Sequence, residues 1–219
     1  MIKVQRFTFN FFAENTYLAY DETREAVLID CGCMNGREET VLSNFITMHQ
    51  LDLKRLICTH YHTDHVIGNP FIYRTYGLKP EIHAGERAPG MPSLKQQAAM
   101  LGMMTNLEEV DTEHFIEEGE EIRFGNSALK AFLVPGHSPA SLAYYCQDGK
   151  FVFTGDALFQ GTIGRTDLWG GDFETLISSI QNKLFTLPDD TVIYPGHESS
   201  STIGIEKQTN PYFISNKNL

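Results

Sequence analysis

The chain has 219 residues, a formal net charge of −11, and 42% hydrophobic and 21% charged residues. This is the composition of an ordinary soluble globular protein, long enough to bury a proper core as one domain over residues 1–219 built from two similar halves. An acidic surface without a Lys/Arg run argues against nucleic acid as a partner; no apolar h-region or membrane-length apolar run occurs, so no membrane partner is expected and the cytoplasm is the expected location.

Three β-rich runs open the sequence, KVQRFTFNFF, NTYLAY and EAVLIDCG, separated by turn-like residues. A helical stretch from about Arg37 to Gln50 follows, then LKRLICT as a short buried strand running into THYHTDH. The pattern predicts a helix over His65–Tyr76, with Thr63 or Asp64 placed to cap it, and a strand at PEIHAG. The segment ERAPGMPSLKQQAAMLGMMTN, residues 86–106, holds four of the seven methionines (Met91, Met100, Met103, Met104). It reads either as a helix with adaptable apolar fillers or as a cover over a binding cleft. Strands are predicted at EIRFG, ALKAFLV, LAYYCQD, KFVFTGD and TVIYPGH. GDFETLISSIQNKLFTL reads as an amphipathic helix capped by Asp172, with Phe173, Leu176, Ile177, Ile180 and Leu184 in one stripe. Strands alternating with helices predict a layered α/β sandwich. The four cysteines (Cys31, Cys33, Cys58, Cys146) lack CxxC spacing, so buried thiols are expected, and Cys31-Gly-Cys33 reads as a turn after a strand.

THYHTDH places three histidines and an aspartate in seven positions of a chain with eight histidines, too dense a cluster for chance. On an extended segment His60 and His62 point the same way, and Asp64 and His65 face a neighbouring position as the chain turns into a helix. A metal site needs further donors. His137 in LVPGHSP, Asp156 in FVFTGD and His197 in VIYPGH each stand where an apolar strand runs into a loop, the position from which a rigid scaffold delivers a ligand. His49 and His114 read as solvent-exposed, and His83 as a strand end with a supporting or substrate role open to it. Tyr144, Tyr145 and Tyr194 read as core aromatics of strands.

In order and spacing, THYHTDH, PGHSP, TGD and PGHE resemble the metallo-β-lactamase superfamily over nearly the whole chain. DALFQGTIGRTDLWGGD, LPDDTVIYPGHE and STIGIEKQTNPY look like its small glyoxalase II-like (hydroxyacylglutathione hydrolase-like) hydrolases. The resemblance implies a four-layer αββα sandwich carrying two divalent metal ions, Zn, Fe or Mn. His60, His62 and His137 would hold one ion, and Asp64, His65 and His197 the second, with Asp156 bridging. Asp64 and Asp156 are the expected catalytic carboxylates. Two ions about 3.5 Å apart lower the pKa of a shared water, and the resulting hydroxide attacks a carbonyl.

No separate general acid stands beside these motifs, which favours a leaving group such as a thiolate, whose conjugate acid has a pKa of about 8.5. The expected substrate is a small-molecule thioester of the S-2-hydroxyacylglutathione type. Only 22 residues follow His197, so the helical C-terminal domain with which full-length glyoxalase II enzymes bind glutathione is not expected, which puts glutathione itself in question. Arg165, near where the larger enzymes place a basic residue, either grips a substrate carboxylate or pairs with Asp167.

Three rivals stand beside this reading. One is a persulfide dioxygenase-like oxygenase with a single Fe(II) on His60, His137 and Asp156. Another is a metallo-hydrolase acting on a lactone, phosphodiester or β-lactam. The last is a binding module with a structural metal, which the absence of a closed, cysteine-rich donor set opposes.

Overall fold

The structure, a computed structural model, describes residues 1–103 and 107–214. Met104, Thr105 and Asn106, the end of the Met-rich segment, lie outside the described residues. The chain divides into two compact units, residues 1–116 with 123–128, and residues 117–122 with 129–219.

The first unit is built on a six-stranded sheet whose order follows the chain. Its strands are β1 (Lys3–Phe9), β2 (Glu14–Tyr20), β3 (Glu25–Ile29), β4 (Asp52–Ile57), β5 (Pro80–Ile82) and β6 (His114–Phe115). The first three pair antiparallel; β3 to β6 run parallel, joined by crossovers. β3 is buried at four of its five positions, as expected of a strand with both faces covered. Helix α1 (Gly36–Met48) starts where the Asn35 side chain accepts from the Arg37 and Glu38 amides. It packs Leu42 and Ile46 on Phe7, Leu18, Leu28 and Leu56.

The single helix predicted over His65–Tyr76 is two helices, α2 (Thr63–Val66) and α3 (Asn69–Tyr76), with His62 rather than Thr63 or Asp64 at the first N-cap position. Gly68 causes the break. Its N–H donates to the Cys31 carbonyl at 2.9 Å instead of to the carbonyl four residues back, and a Cβ there would stand 2.6 Å from Cys31 Sγ, so only glycine allows this approach. The Met-rich segment forms a 3₁₀ turn (Ala84–Arg87) and helix α4 (Leu94–Met100). Met100 on it is 79% exposed, while Leu94 and Ala98 are buried against Tyr61 and Val66.

The second sheet also has six strands, in the order β14-β13-β10-β9-β8-β7. These are β7 (Glu121–Phe124), β8 (Ser127–Leu133), β9 (Leu142–Cys146), β10 (Phe151–Gly155), β13 (Val192–Pro195) and β14 (Ser201–Thr202), with a small hairpin of β11 (Leu158–Phe159) and β12 (Thr162–Ile163) beside it. Helix α5 (Phe173–Asn182) is capped by Asp172, as expected, and presents Leu176 and Ile180 to Val134, Ala143, Val152 and Ile193. Phe173, counted in its apolar stripe, is 44% exposed; only the residues a turn and more into the helix reach the core. Helices α6 (Ile203–Thr209) and α7 (Pro211–Ile214) complete the unit. All four cysteines are buried and free. The Cys31 thiol beside it and burial together raise the pKa of Cys33, which keeps that thiol unreactive. Among the described residues no helix is long and apolar enough to cross a membrane.

Asp21, 4% exposed, ties the β7–β8 turn to the end of β2. Its carboxylate accepts from Thr23 N (2.9 Å), Thr23 Oγ1 (2.5 Å), Asn126 N (2.7 Å) and Ser127 Oγ (2.8 Å). Burial alone would raise its pKa; the hydrogen bonds outweigh it and the pKa falls below the usual carboxylate value. A lowered folded-state pKa adds stability above the unfolded value of about 3.9, and this is lost as pH falls through the folded value. Asp21→Ala is therefore expected to cost about 2–3 kcal/mol at pH 7 in urea unfolding, with the gap to wild type closing below about pH 4. An undiminished gap at pH 3 would contradict the assignment.

Candidate metal centre

In the first unit the donors lie on the loop that leaves β4 and enters α2. His60 and His65 are fully buried, His62 and Asp64 partly so. The His60 ring centroid is 4.6 Å from that of His62 and 4.2 Å from that of His65, and His65 Nε2 is 3.7 Å from Asp64 Oδ2. The four residues singled out from THYHTDH are thus gathered.

Hydrogen bonding fixes how the rings stand. Asp30, which the sequence reading passed over, follows β3 with φ of 57°, in the left-handed region that Asp and Asn tolerate best among non-glycine residues. Its Oδ1 accepts from Thr59 N at 2.7 Å, and its Oδ2 accepts from Thr59 Oγ1 at 2.8 Å and faces His65 Nδ1 at 2.9 Å. A carboxylate can only accept, so His65 carries its proton on Nδ1. The Thr59 hydroxyl spends its one proton on Asp30, so at 2.9 Å from His60 Nδ1 it must accept, and His60 too is protonated on Nδ1. In the neutral ring this tautomer puts the lone pair on Nε2, the form in which an imidazole binds a divalent ion. Glu14, fully buried, lies close enough to Asp30 and His65 for one atom of each to fall within 4.8 Å, and burial raises its pKa well above the carboxylate norm.

In the second unit His137 follows β8, Asp156 follows β10 and His197 follows β13, and the structure brings these three together. Asp156 Oδ2 stands 3.6 Å from His137 Nε2 and 3.5 Å from His197 Nε2. His137 Nδ1 lies 2.8 Å from the Arg165 carbonyl, which can only accept, so Nδ1 carries a proton and the neutral ring has its lone pair on Nε2. A carboxylate oxygen facing imidazole nitrogens beyond normal hydrogen-bond length is an arrangement that a cation fits. Gly164 permits it: a Cβ there would stand 1.8 Å from the Asp156 carbonyl oxygen and 3.0 Å from His137 Nδ1. The GTIGRTD segment thereby acts on the site through its backbone. The Arg165 side chain is exposed and grips Asp167 with two hydrogen bonds, Nε to Oδ1 at 2.7 Å and Nη2 to Oδ2 at 2.8 Å, which hold the Asp167 pKa at about 2.

Of the other histidines, His49 and His114 are exposed, and His83 caps the 3₁₀ turn by accepting from Gly85 N at 3.1 Å.

Comparison with known proteins identifies the family. Residues 9–197 match the family described as the metallo-beta-lactamase superfamily. The hydroxyacylglutathione hydrolase GloC of Haemophilus influenzae is 37% identical over 206 residues, 93% of this chain and 94% of that protein. The human mitochondrial persulfide dioxygenase ETHE1 is 36% identical over 203 residues, 90% of this chain and 70% of that protein. Among solved structures, the BLEG-1 B3 metallo-beta-lactamase superposes with a TM-score of 0.86 at 30% identity, covering 97% of this chain and all of that one. With its histidine and aspartate side chains gathered in the segments that follow strands and its sequence matched across both units, this chain belongs to the metallo-beta-lactamase superfamily.

Proposed function

We propose that the protein is a dinuclear metal-dependent hydrolase of acyl thioesters. The observation that carries the choice of thioester is the 37% identity, over nearly the full length of both chains, to a hydroxyacylglutathione hydrolase. The three relatives are named for three different chemistries, so the fold alone does not select among them.

In this reading His60, His62 and His137 hold one ion, and Asp64, His65 and His197 the other, with Asp156 shared. The orientation of the donors supports it: His60, His65 and His137 each have Nδ1 committed to a neighbour and Nε2 turned to accept a metal. Nitrogen and carboxylate donors suit Zn, Fe or Mn. When bound, such a pair of ions acidifies a water and polarises a carbonyl. The chain's own contribution is to hold seven donors in the loops after strands and in helix α2, so that little reorganisation remains when substrate arrives. Asp64 and Asp156 supply the negative charge that balances the cations.

Arg165 is the proposed contact for a carboxylate on the thiol, exchanging Asp167 for substrate. The exposed pair it now makes is weak enough to give way. Arg165→Ala is expected to raise KM about tenfold for thioesters of carboxylate-bearing thiols and to leave neutral thioesters nearly unchanged. Equal effects on both would return Arg165 to a purely structural partnership with Asp167.

The deciding experiment measures metal per chain and thiol release from S-lactoylglutathione by the same preparation. About two ions with thiol release supports the hydrolase. The 36% identity to human ETHE1 favours a second reading, and a single iron with oxygen uptake on glutathione persulfide, without thiol release, would establish it instead.

A further inference from the structure

The Met-rich segment contributes two buried polar side chains that turn back onto the histidine loop. Gln97 on α4 is 8% exposed and Glu86 in the 3₁₀ turn 1% exposed. Gln97 Oε1 accepts from Thr63 N at 3.1 Å and from Thr63 Oγ1 at 3.2 Å, while its Nε2 donates to the carbonyls of Tyr61 and Pro92, each at 3.1 Å. These four bonds use the whole hydrogen-bonding capacity of a primary amide. Its orientation is settled by the partners, since Thr63 N–H can only donate and the two carbonyls only accept. Glu86 accepts from Tyr61 N at 3.0 Å.

These bonds fall on both sides of one residue. The carbonyl of Tyr61 belongs to the peptide unit before His62 and the amide of Thr63 to the unit after it. One side chain therefore fixes both peptide planes that flank His62, and Glu86 fixes the plane before Tyr61. His62 stands at the N-cap position of α2 with φ of −76° and ψ of 146°, and its own side chain makes no capping bond. The two flanking peptide planes set the direction in which its side chain leaves the backbone.

We propose that Gln97 is the positioning residue of His62, holding its backbone so that the imidazole reaches the ion it shares with His60 and His137, and that α4 is a fixed brace for the histidine loop rather than a cover. The inference rests on the metal reading above. An isosteric apolar side chain fills the space but makes none of the four bonds; a glutamate keeps the acceptor for Thr63 and loses both donations.

The test titrates the whole protein with Zn²⁺ against a competing chelator and records the visible spectrum of the Co²⁺-substituted form. Gln97→Met is expected to weaken one of the two sites about 10- to 100-fold, leave the other near wild type and change the Co²⁺ bands. Gln97→Glu is expected to fall between. Ile46→Ala, a truncation in the α1 core, supplies a variant with lowered Tm but an intact loop, and is expected to keep both affinities. Wild-type affinities and spectrum in Gln97→Met would overturn the proposal, as would an equal loss in Ile46→Ala. A wild-type protein that binds a single ion would refute the dinuclear reading, and the affinity ratio of Gln97→Met to wild type for that ion would still decide the role of Gln97.

Discussion

Asp156→Ala is expected to lower kcat/KM on an acyl thioester by at least about 10³-fold and to reduce bound metal from two ions to one or fewer. The carboxylate is the meeting point of the second unit's donors, with one oxygen 3.6 Å from His137 Nε2 and 3.5 Å from His197 Nε2. In the dinuclear reading, removing it takes away the carboxylate that both ions would share and leaves His137 and His197 as the proposed ligands of that unit. The local backbone has other supports. Thr154 Oγ1 donates to the Leu158 carbonyl at 2.9 Å, Ala157 N to the Thr154 carbonyl at 3.1 Å, and Gly164 packs on the Asp156 carbonyl. A small change in Tm with near-complete loss of metal and activity is therefore the expected signature, read by elemental analysis, thiol release and thermal unfolding. Asp156→Asn keeps the shape but cannot balance two cations, and is expected to behave alike. Full turnover in either variant would sink the dinuclear mechanism.

The parts of this site legible in the sequence were those written as local density. Three histidines within six residues, and single His or Asp residues where apolar strands end, are readable because strand ends deliver side chains to loops at short spacing. The residues that orient these donors leave no such trace. Asp30 reaches Thr59 across 29 positions and His65 across 35, and Gln97 reaches Thr63 across 34. Each sits in an unremarkable context, LIDCG or LKQQAA, and only the fold makes it a partner of the histidine loop. The helix break at Gly68 was hidden for a similar reason, because its cause is Cys31, a residue distant in sequence. GTIGRTD stands out in the sequence for the charge of Arg165. Its visible effect comes from the Arg165 carbonyl on His137 and the bare Cα of Gly164, features that side-chain chemistry does not advertise.

Asp30→Asn is expected to fold and yet to bind both ions more weakly, because it reverses the proton order of the histidine loop. Asparagine tolerates the left-handed backbone at this position as aspartate does, so little strain is introduced. Its carbonyl oxygen is needed by Thr59 N–H, which Asp30 Oδ1 now serves at 2.7 Å. The amide nitrogen then takes the place of Oδ2 and becomes a donor toward both Thr59 Oγ1 and His65 Nδ1. His65 must accept there, and its proton moves to Nε2. The Thr59 hydroxyl, now receiving a bond from the asparagine, turns its proton to His60 Nδ1, and the proton of His60 moves to Nε2 as well. Both Nε2 atoms become N–H groups where a metal needs a lone pair, one in each proposed ligand set. Metal affinity is expected to fall about 100-fold at each site, the upper end of the effect of removing such a supporting partner. Nitrogen NMR of the metal-free variant would report the tautomers of His60 and His65, and chelator competition the affinities. Unchanged tautomers with wild-type affinity would show that the Asp30–Thr59 relay does not set the form of these ligands; Nε2 protonation with retained metal would remove His60 and His65 from the ligand set.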